Sequence, residues 1–315
     1  MCSCTQMLDV EVGGAEANVL AGLASLGHPT QMISRVADNP LGRLALGTLA
    51  ARGVNTSSIV CTPGRMGLYF LEQGQGLRAS AITYDRAGSA FAQARADDFD
   101  FAAALDGASL LHLSGITPAL GAHSAEAAVA ATRAAMQAGV PISFDGNFRP
   151  KLWAAWNSDP RAILSGIISN VDLLFGNHKD ISLLTGRDFP GDGLQRRRAA
   201  AEAAFDAFPN LKLIASTARH VIDVDHHRIA ARVDLPDDTA HTGEVDVTGI
   251  IDRIGTGDAF AAGVLHKYLE GDDIESMARA GLGLAVLEHS LPGDMPLFSR
   301  EDLHAFEHGG RDVRR

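Results

Sequence analysis

The chain has 315 residues, enough for one large α/β domain or two smaller ones, and either can bury a full core without disulfide or metal staples. Hydrophobic residues make up 46%, which excludes a disordered chain, and a formal net charge of −11 argues against a nucleic-acid or anionic-membrane surface, since both partners are polyanions. Cys2, Cys4 and Cys61 form no CxxC pair, no Lys or Arg precedes Arg35, and no apolar run is long enough to span a bilayer, so reduced thiols and a cytoplasmic location are expected.

In chain order, LDVEV (8–12) reads as a strand. AEANVLAGLASLG reads as a helix closed by Gly27, and PLGRLALGTLAARG as a helix opened by Pro40 and closed by Gly53. Between about 57 and 86 the runs SSIVCT, MGLYFLEQ and LRASAITYDR have Gly-containing breaks and no helix between them. With 8–12 they predict a small antiparallel sheet inserted as a lid. From 109 onward SLLHLSG, PISFDGN, VDLLFGN and LKLIAST each begin apolar and end small or polar, the pattern of parallel strands buried on both faces with their carboxyl ends opening into a crevice. Helices fit between them at about 121–138, 158–170 and 192–208, and two more follow at about 257–270 and 273–289. The expected fold is therefore α/β, a doubly wound and mostly parallel sheet flanked by helices, with the lid inserted into a single domain spanning 1–315.

Several chemistries have no foothold. There is no glycine-rich loop followed by Lys-Ser/Thr, no GxSxG and no HExxH. His226–His227 falls at a hairpin turn rather than at metal-ligand spacing, GQGLRA (74–79) lies in the lid and not between a strand and a helix, and Arg196–Arg197–Arg198 reads as a solvated helix face.

GTGDAFAAG (255–263) is different. Phe260, Val264, Leu265, Tyr268 and Leu269 recur at helical spacing, so Gly255 and Gly257 sit in a first turn whose unhindered N–H groups suit an anion. Asp258 there either complements the helix dipole or acts as a base beside a phosphate hole. Other polar residues sit at strand ends: Asp145, Asn147 and Arg149 after PISF, Asn177 and Asp180 after VDLLF, and Ser216 and Thr217 at the end of LKLIA. Each alone suits a turn or cap; together with GTGD they converge on one crevice.

DRIGTGDAFAAG resembles the C-terminal motif of the ribokinase-like (PfkB) sugar kinases, and GGAEANV (13–19) resembles their N-terminal glycine motif. GLYFLE (67–72), YDRAGSA (84–90), SGITPAL (114–120), DGNFRPKLW (145–153) and HSLPGD (289–294) are similar to the 2-keto-3-deoxygluconate kinase branch, so the likeness covers nearly the whole chain. The resemblance implies an ATP- and Mg2+-dependent kinase acting on a sugar acid, with Asp258 as general base and Gly255, Thr256 and Gly257 as the anion hole. It places the substrate on Gly14, Asn18, Tyr69, Tyr84, Arg86, Ile116, Asn147 and Arg149, the nucleotide on Asn177, Ser216, Thr217, Gly255 and Gly257, and the metal near Asp180. Two arginines at a sugar site suit a carboxylate, which guanidinium grips through paired hydrogen bonds. The rival readings are the same chemistry on fructose or ribose, and a non-catalytic sugar-acid binding protein.

The chain departs from the family in three places. Only Met1 to Met7 precede LDVEV, where the family carries a strand with a Gly–acidic pair, so a core strand is expected to be missing. The family's Asn-x-x-Glu reads Asn177–His178–Lys179–Asp180, and STARHV stands where many members have a glycine-containing nucleotide loop. A lid sheet with free edges implies pairing with a second copy, hence a homodimer or higher homo-oligomer.

Overall fold

The computed structural model describes residues 8–191 and 193–310. Its first half runs α1 (Ala15–Ser25), β1 (Thr30–Gln31), β2 (Ser34–Ala37), α2 (Pro40–Ala51), β3 (Val54–Asn55), β4 (Ile59–Thr62), β5 (Leu68–Glu72), β6 (Ala81–Asp85), α3 (Phe101–Leu105), β7 (Leu111–Ser114), α4 (Ile116–Ala119) and α5 (Ala122–Ala138). The second half runs β8 (Ile142–Asp145), α6 (Pro150–Trp153), α7 (Pro160–Ile168), β9 (Leu173–Phe175), α8 (His178–Thr185), α9 (Gly193–Ala207), β10 (Leu213–Val221), β11 (His226–Asp234), β12 (Thr239–His241), β13 (Val245–Thr248), α10 (Thr256–Glu270), α11 (Ile274–Glu288) and α12 (Arg300–Glu307).

A seven-stranded sheet in the order β12–β11–β10–β9–β8–β7, with β13 also on β11, forms the centre. The β7–β8, β8–β9 and β9–β10 pairs are parallel and β10–β11 is antiparallel. Period-two alternation divides its side chains between two cores. Leu173, Phe175, Leu213 and Ala215 pack with α1, α10 and α11 on one face, while Ile142, Phe144, Leu174 and Ile214 pack with α5, α7, α8 and α9 on the other. Both faces are thus covered, and consecutive residues of β9 are all buried. The architecture is an α/β sheet, parallel over β7 to β10 and covered by helices on both faces, with small extra sheets.

The lid differs from expectation. The antiparallel sheet is a two-stranded hairpin, β5 with β6. SSIVCT instead supplies β4, which runs parallel to β2. Strand SRVA before α2 makes β2–α2–β4 a crossover unit, and such a unit brings its second strand back parallel to the first. Residues 8–12 form no strand: Leu8 and Val10 are 70% and 64% exposed, and no ladder pairs with the segment among the described residues. Alternating apolar and acidic residues make a strand only where a neighbour accepts the backbone hydrogen bonds. Met1 to Met7, with Cys2 and Cys4, lie outside the described residues, and Cys61 is exposed and free.

The arginine run is also not a solvated face. Arg198 reaches across to β11, donating to Glu202, to Asp234 and to the carbonyls of Leu235, Pro236 and Asp238. There Asp234 also receives two hydrogen bonds, at 2.6 and 2.7 Å, from Arg232, and both residues are buried. Arg196 and Arg197 line the central cleft, because the start of α9 abuts the crevice instead of water. No helix among the described residues is long and apolar enough to cross a membrane.

Candidate active site

The carboxyl ends of β7 to β9, the middle of β10, the first turns of α1 and α10, and the β5–β6 hairpin enclose one cleft of about 2160 Å³. A drug-sized ligand needs roughly 300–1,000 Å³, so two ligands fit.

The turn before α10 is built by its own side chains. Asp252 Oδ1 accepts the N–H of Arg253 (2.6 Å) and of Ile254 (3.0 Å), and Thr256 Oγ1 donates to the Arg253 carbonyl (3.0 Å). Gly255 takes a left-handed conformation, φ +78°, and a Cβ there would lie 2.2 Å from the Asp294 carbonyl oxygen. Only glycine satisfies both demands. A Cβ at Gly257 would face open space, so the first N–H groups of α10 stand clear of side chains.

Asp258 follows in the same turn, and its Oδ2 accepts a 2.7 Å hydrogen bond from Asn18 Nδ2. Asn18 is itself fixed: it is buried, and its Oδ1 accepts the N–H of Gly14 at the cap of α1. Withdrawal from water pushes the Asp258 carboxyl well above its ordinary range; the Asn18 hydrogen bond opposes this, while the charges of Asp145, Asp294 and Glu16 add to it.

The hairpin forms the facing wall. Tyr69 and Tyr84 are cross-strand partners, and the Arg86 guanidinium lies 4.6 Å from the Tyr84 ring centre and 5.7 Å from that of Tyr69. Burial lowers the Arg86 pKa, and the neighbouring charge of Arg149 lowers it further. Neither arginine has a carboxylate within ion-pair distance among the described residues. Tyr69 Oη donates to the Asp294 carboxylate, at 2.6 and 2.7 Å from its two oxygens. Ile116 opens α4 on the same wall. Asn147 is the one non-glycine described residue with positive φ, +36°, held by its N–H to Asp145 Oδ1 and its Nδ2 to Ser114 Oγ.

Asn177 caps α8 reciprocally with Asp180, which accepts the Asn177 N–H at 2.8 Å. Asp145 lies near: burial, then the Asp180 charge, lifts its pKa to about 7. Burial also raises the Asp180 carboxyl, and two desolvated carboxylates lining one cleft suit a hard divalent cation with oxygen ligands. Ser216 and Thr217 do not end their strand as the sequence suggested: β10 continues to Val221 along β11, and the two residues line the cleft from its middle, half-buried.

Every residue singled out from sequence for substrate, nucleotide, metal or catalysis therefore lines this one cleft. Sequence reasoning passed over Asp294, which packs against Gly13 and Gly255 and receives Tyr69, and Glu16, whose Oε1 accepts the N–H of Ser114 and the hydroxyl of Thr117. Both stand inside quoted motifs, HSLPGD and GGAEANV, but nothing in those strings shows which side chain turns inward.

The model for pfkB family carbohydrate kinases matches residues 6–296. The chain is 29% identical over 303 residues to a 2-dehydro-3-deoxygalactonokinase of Haloferax volcanii, covering 96% of this chain and 89% of that one. It is also 29% identical over 309 residues to a 2-dehydro-3-deoxygluconokinase of Bacillus subtilis, covering 96% and 88%. The crystal structure of a 2-dehydro-3-deoxygluconokinase from Thermotoga maritima superposes with a TM-score of 0.92 at 33% identity, covering 98% of this chain and 94% of that one. With a family match across the chain and a cleft of this geometry, the protein belongs to the pfkB family of carbohydrate kinases, phosphotransferases with an alcohol group as acceptor.

Proposed function

We propose that the protein transfers the γ-phosphate of ATP to a hydroxyl of a 2-keto-3-deoxy sugar acid, 2-keto-3-deoxygluconate or its galactonate epimer. The observation that carries the choice of an acid is the Arg86–Arg149 pair. Two neighbouring guanidinium groups without a carboxylate partner repel each other, and a carboxylate between them relieves that repulsion with charge-assisted hydrogen bonds. Fructose or ribose would leave them unpaired. The names of the relatives from Haloferax and Bacillus support the same substrate class.

The geometry supports the following roles for the chain's own groups. Asp258 takes the proton from the attacking hydroxyl, and its raised pKa makes it a stronger base than an ordinary carboxylate once ionised. Asn18 holds it in orientation and favours the ionised form. The free amides at Gly255 to Gly257 stabilise charge on the transferred group with dipoles already in place. Asp180 and Asp145 would hold Mg2+, which when bound neutralises phosphate charge. The β5–β6 hairpin closes the sugar side as a lid through Tyr69, Tyr84 and Arg86.

The test is ADP release with ATP and Mg2+ over a panel of 2-keto-3-deoxygluconate, its galactonate epimer, gluconate, fructose and ribose. The proposal expects turnover with the 2-keto-3-deoxy acids at kcat/KM at least ~100-fold above the neutral sugars. Preference for a neutral sugar would overturn it.

A further inference from the structure

Two more arginines in the cleft lack partners. Arg219 projects from β10 two residues beyond Thr217, and Arg253 stands in the turn before Gly255. Both line the cleft, and neither side chain makes a hydrogen bond or ion pair among the described residues. They are near enough that the charge of Arg253 weighs on Arg219. The Arg253 backbone is anchored at both ends, its N–H on Asp252 Oδ1 and its carbonyl on Thr256 Oγ1, so the base of this side chain is fixed relative to the amides of α10.

No carboxylate lies within ion-pair distance of either guanidinium among the described residues, although Asp223 and Asp252 act on the histidines beside them. His227 and His289, buried edge-to-face with ring centres 5.7 Å apart, lie close to both or one of them. Burial, helped by the Arg219 charge, keeps both rings neutral, with His227 brought down to about 4. His289 Nδ1 donates to the Ala285 carbonyl, which leaves Nε2 without a proton and, in the buried state, without a partner. The nearby carboxylate of Asp252 is engaged by two backbone amides of its own turn. In a chain of net charge −11, two cleft-lining guanidinium groups without an ion-pair partner among the described residues, beside a helix N-terminus, form an anion site of higher charge than the amides alone can serve.

We infer that Arg219 and Arg253 clamp the distal phosphates of the nucleotide, aligning the γ-phosphoryl group over the amides of Gly255 to Gly257. The inference rests on the reading of the protein as an ATP-dependent kinase. It also gives a role to STARHV, the segment without the family's glycine-containing loop: Arg219 supplies by a planar, five-donor side chain what a glycine loop supplies by backbone N–H groups. The site on Arg253 lies in the anion-hole turn itself, so the clamp acts on β- and γ-phosphates and leaves the nucleoside and α-phosphate to other walls of the cleft.

The test is calorimetric binding of AMP, ADP and a β,γ-imido analogue of ATP, with Mg2+, to the full chain and to Arg219→Ala, Arg253→Ala and the two Lys variants. The clamp expects each Ala variant to weaken ADP and the ATP analogue by at least ~10-fold and AMP by less than about threefold, with partial recovery in the Lys variants. Thermal melting of the ligand-free Ala variants should be unchanged or higher, because a like-charge contact has been removed. Equal losses for AMP and the ATP analogue, or no loss for either, would overturn the clamp while leaving the kinase reading in place. A wild-type chain that binds the sugar acid but no adenine nucleotide would overturn both.

Discussion

Asn18 Nδ2 donates to Asp258 Oδ2 across 2.7 Å, joining the first turns of two helices whose residues are 240 positions apart in sequence. The bond opposes burial and the charges of three neighbouring acids, which push the carboxylate towards the protonated form. Removing it has a signed consequence. In Asn18→Ala the Asp258 pKa rises further, the base is protonated at higher pH, and the acid limb of the kcat/KM profile moves up. At neutral pH kcat/KM should fall about tenfold or more, with recovery as pH rises. A uniform loss at all pH values would assign Asn18 to substrate contact instead.

Arg149 stands beside Arg86 without a carboxylate partner. Arg149→Ala should raise KM for the sugar acid by roughly ten- to hundred-fold, the size of a charge-assisted pair, and change kcat/KM for a neutral sugar much less. Equal losses for the two substrates would mean that the side chain supports the fold of the DGNFRP segment.

Gly255 combines φ +78° with a backbone oxygen 2.2 Å from where a Cβ would stand. Gly255→Ala should displace the turn that presents the amides and lower kcat by at least ~100-fold, the effect of losing a fixed donor to developing charge. The parallel measurement is the melting temperature, which should fall only modestly because the core of α10 is untouched.

Away from the cleft, Asp234 neutralises buried Arg232 through two hydrogen bonds and also receives Arg198. Asp234→Ala leaves a buried guanidinium unpaired and should cost about 3–5 kcal/mol in urea denaturation. A loss under about 1 kcal/mol would show that water or a carbonyl compensates.

The sequence carries the sheet well and its first third poorly, for a physical reason. Strands buried on both faces, VDLLF and PISF, advertise themselves by near-continuous apolar residues, and the glycines that close α1, α5 and α10 mark the helix ends. SSIVCT and LDVEV are short and largely exposed, so their fate depends on which neighbour offers hydrogen bonds, and β2, four residues within HPTQMISRVA (28–37), is too short to show a period. In the site, Asp258 was legible because its glycines are local to it. Asp294 and Glu16 were not, because their partners Tyr69 and Ser114 are 225 and 98 residues away. Arg196 and Arg197 looked like a wet helix face because sequence gives the charge but not what the helix end abuts.

The central claim is that Asp258 takes the proton from the sugar-acid hydroxyl during phosphoryl transfer from ATP. The most direct measurement is kcat of Asp258→Asn with 2-keto-3-deoxygluconate, ATP and Mg2+, beside calorimetric binding of the sugar acid to the same variant. The account expects kcat to fall by at least ~100-fold, the usual size of a general-base contribution, with the sugar acid bound nearly as well as by the unaltered chain. Turnover close to normal in Asp258→Asn would contradict it.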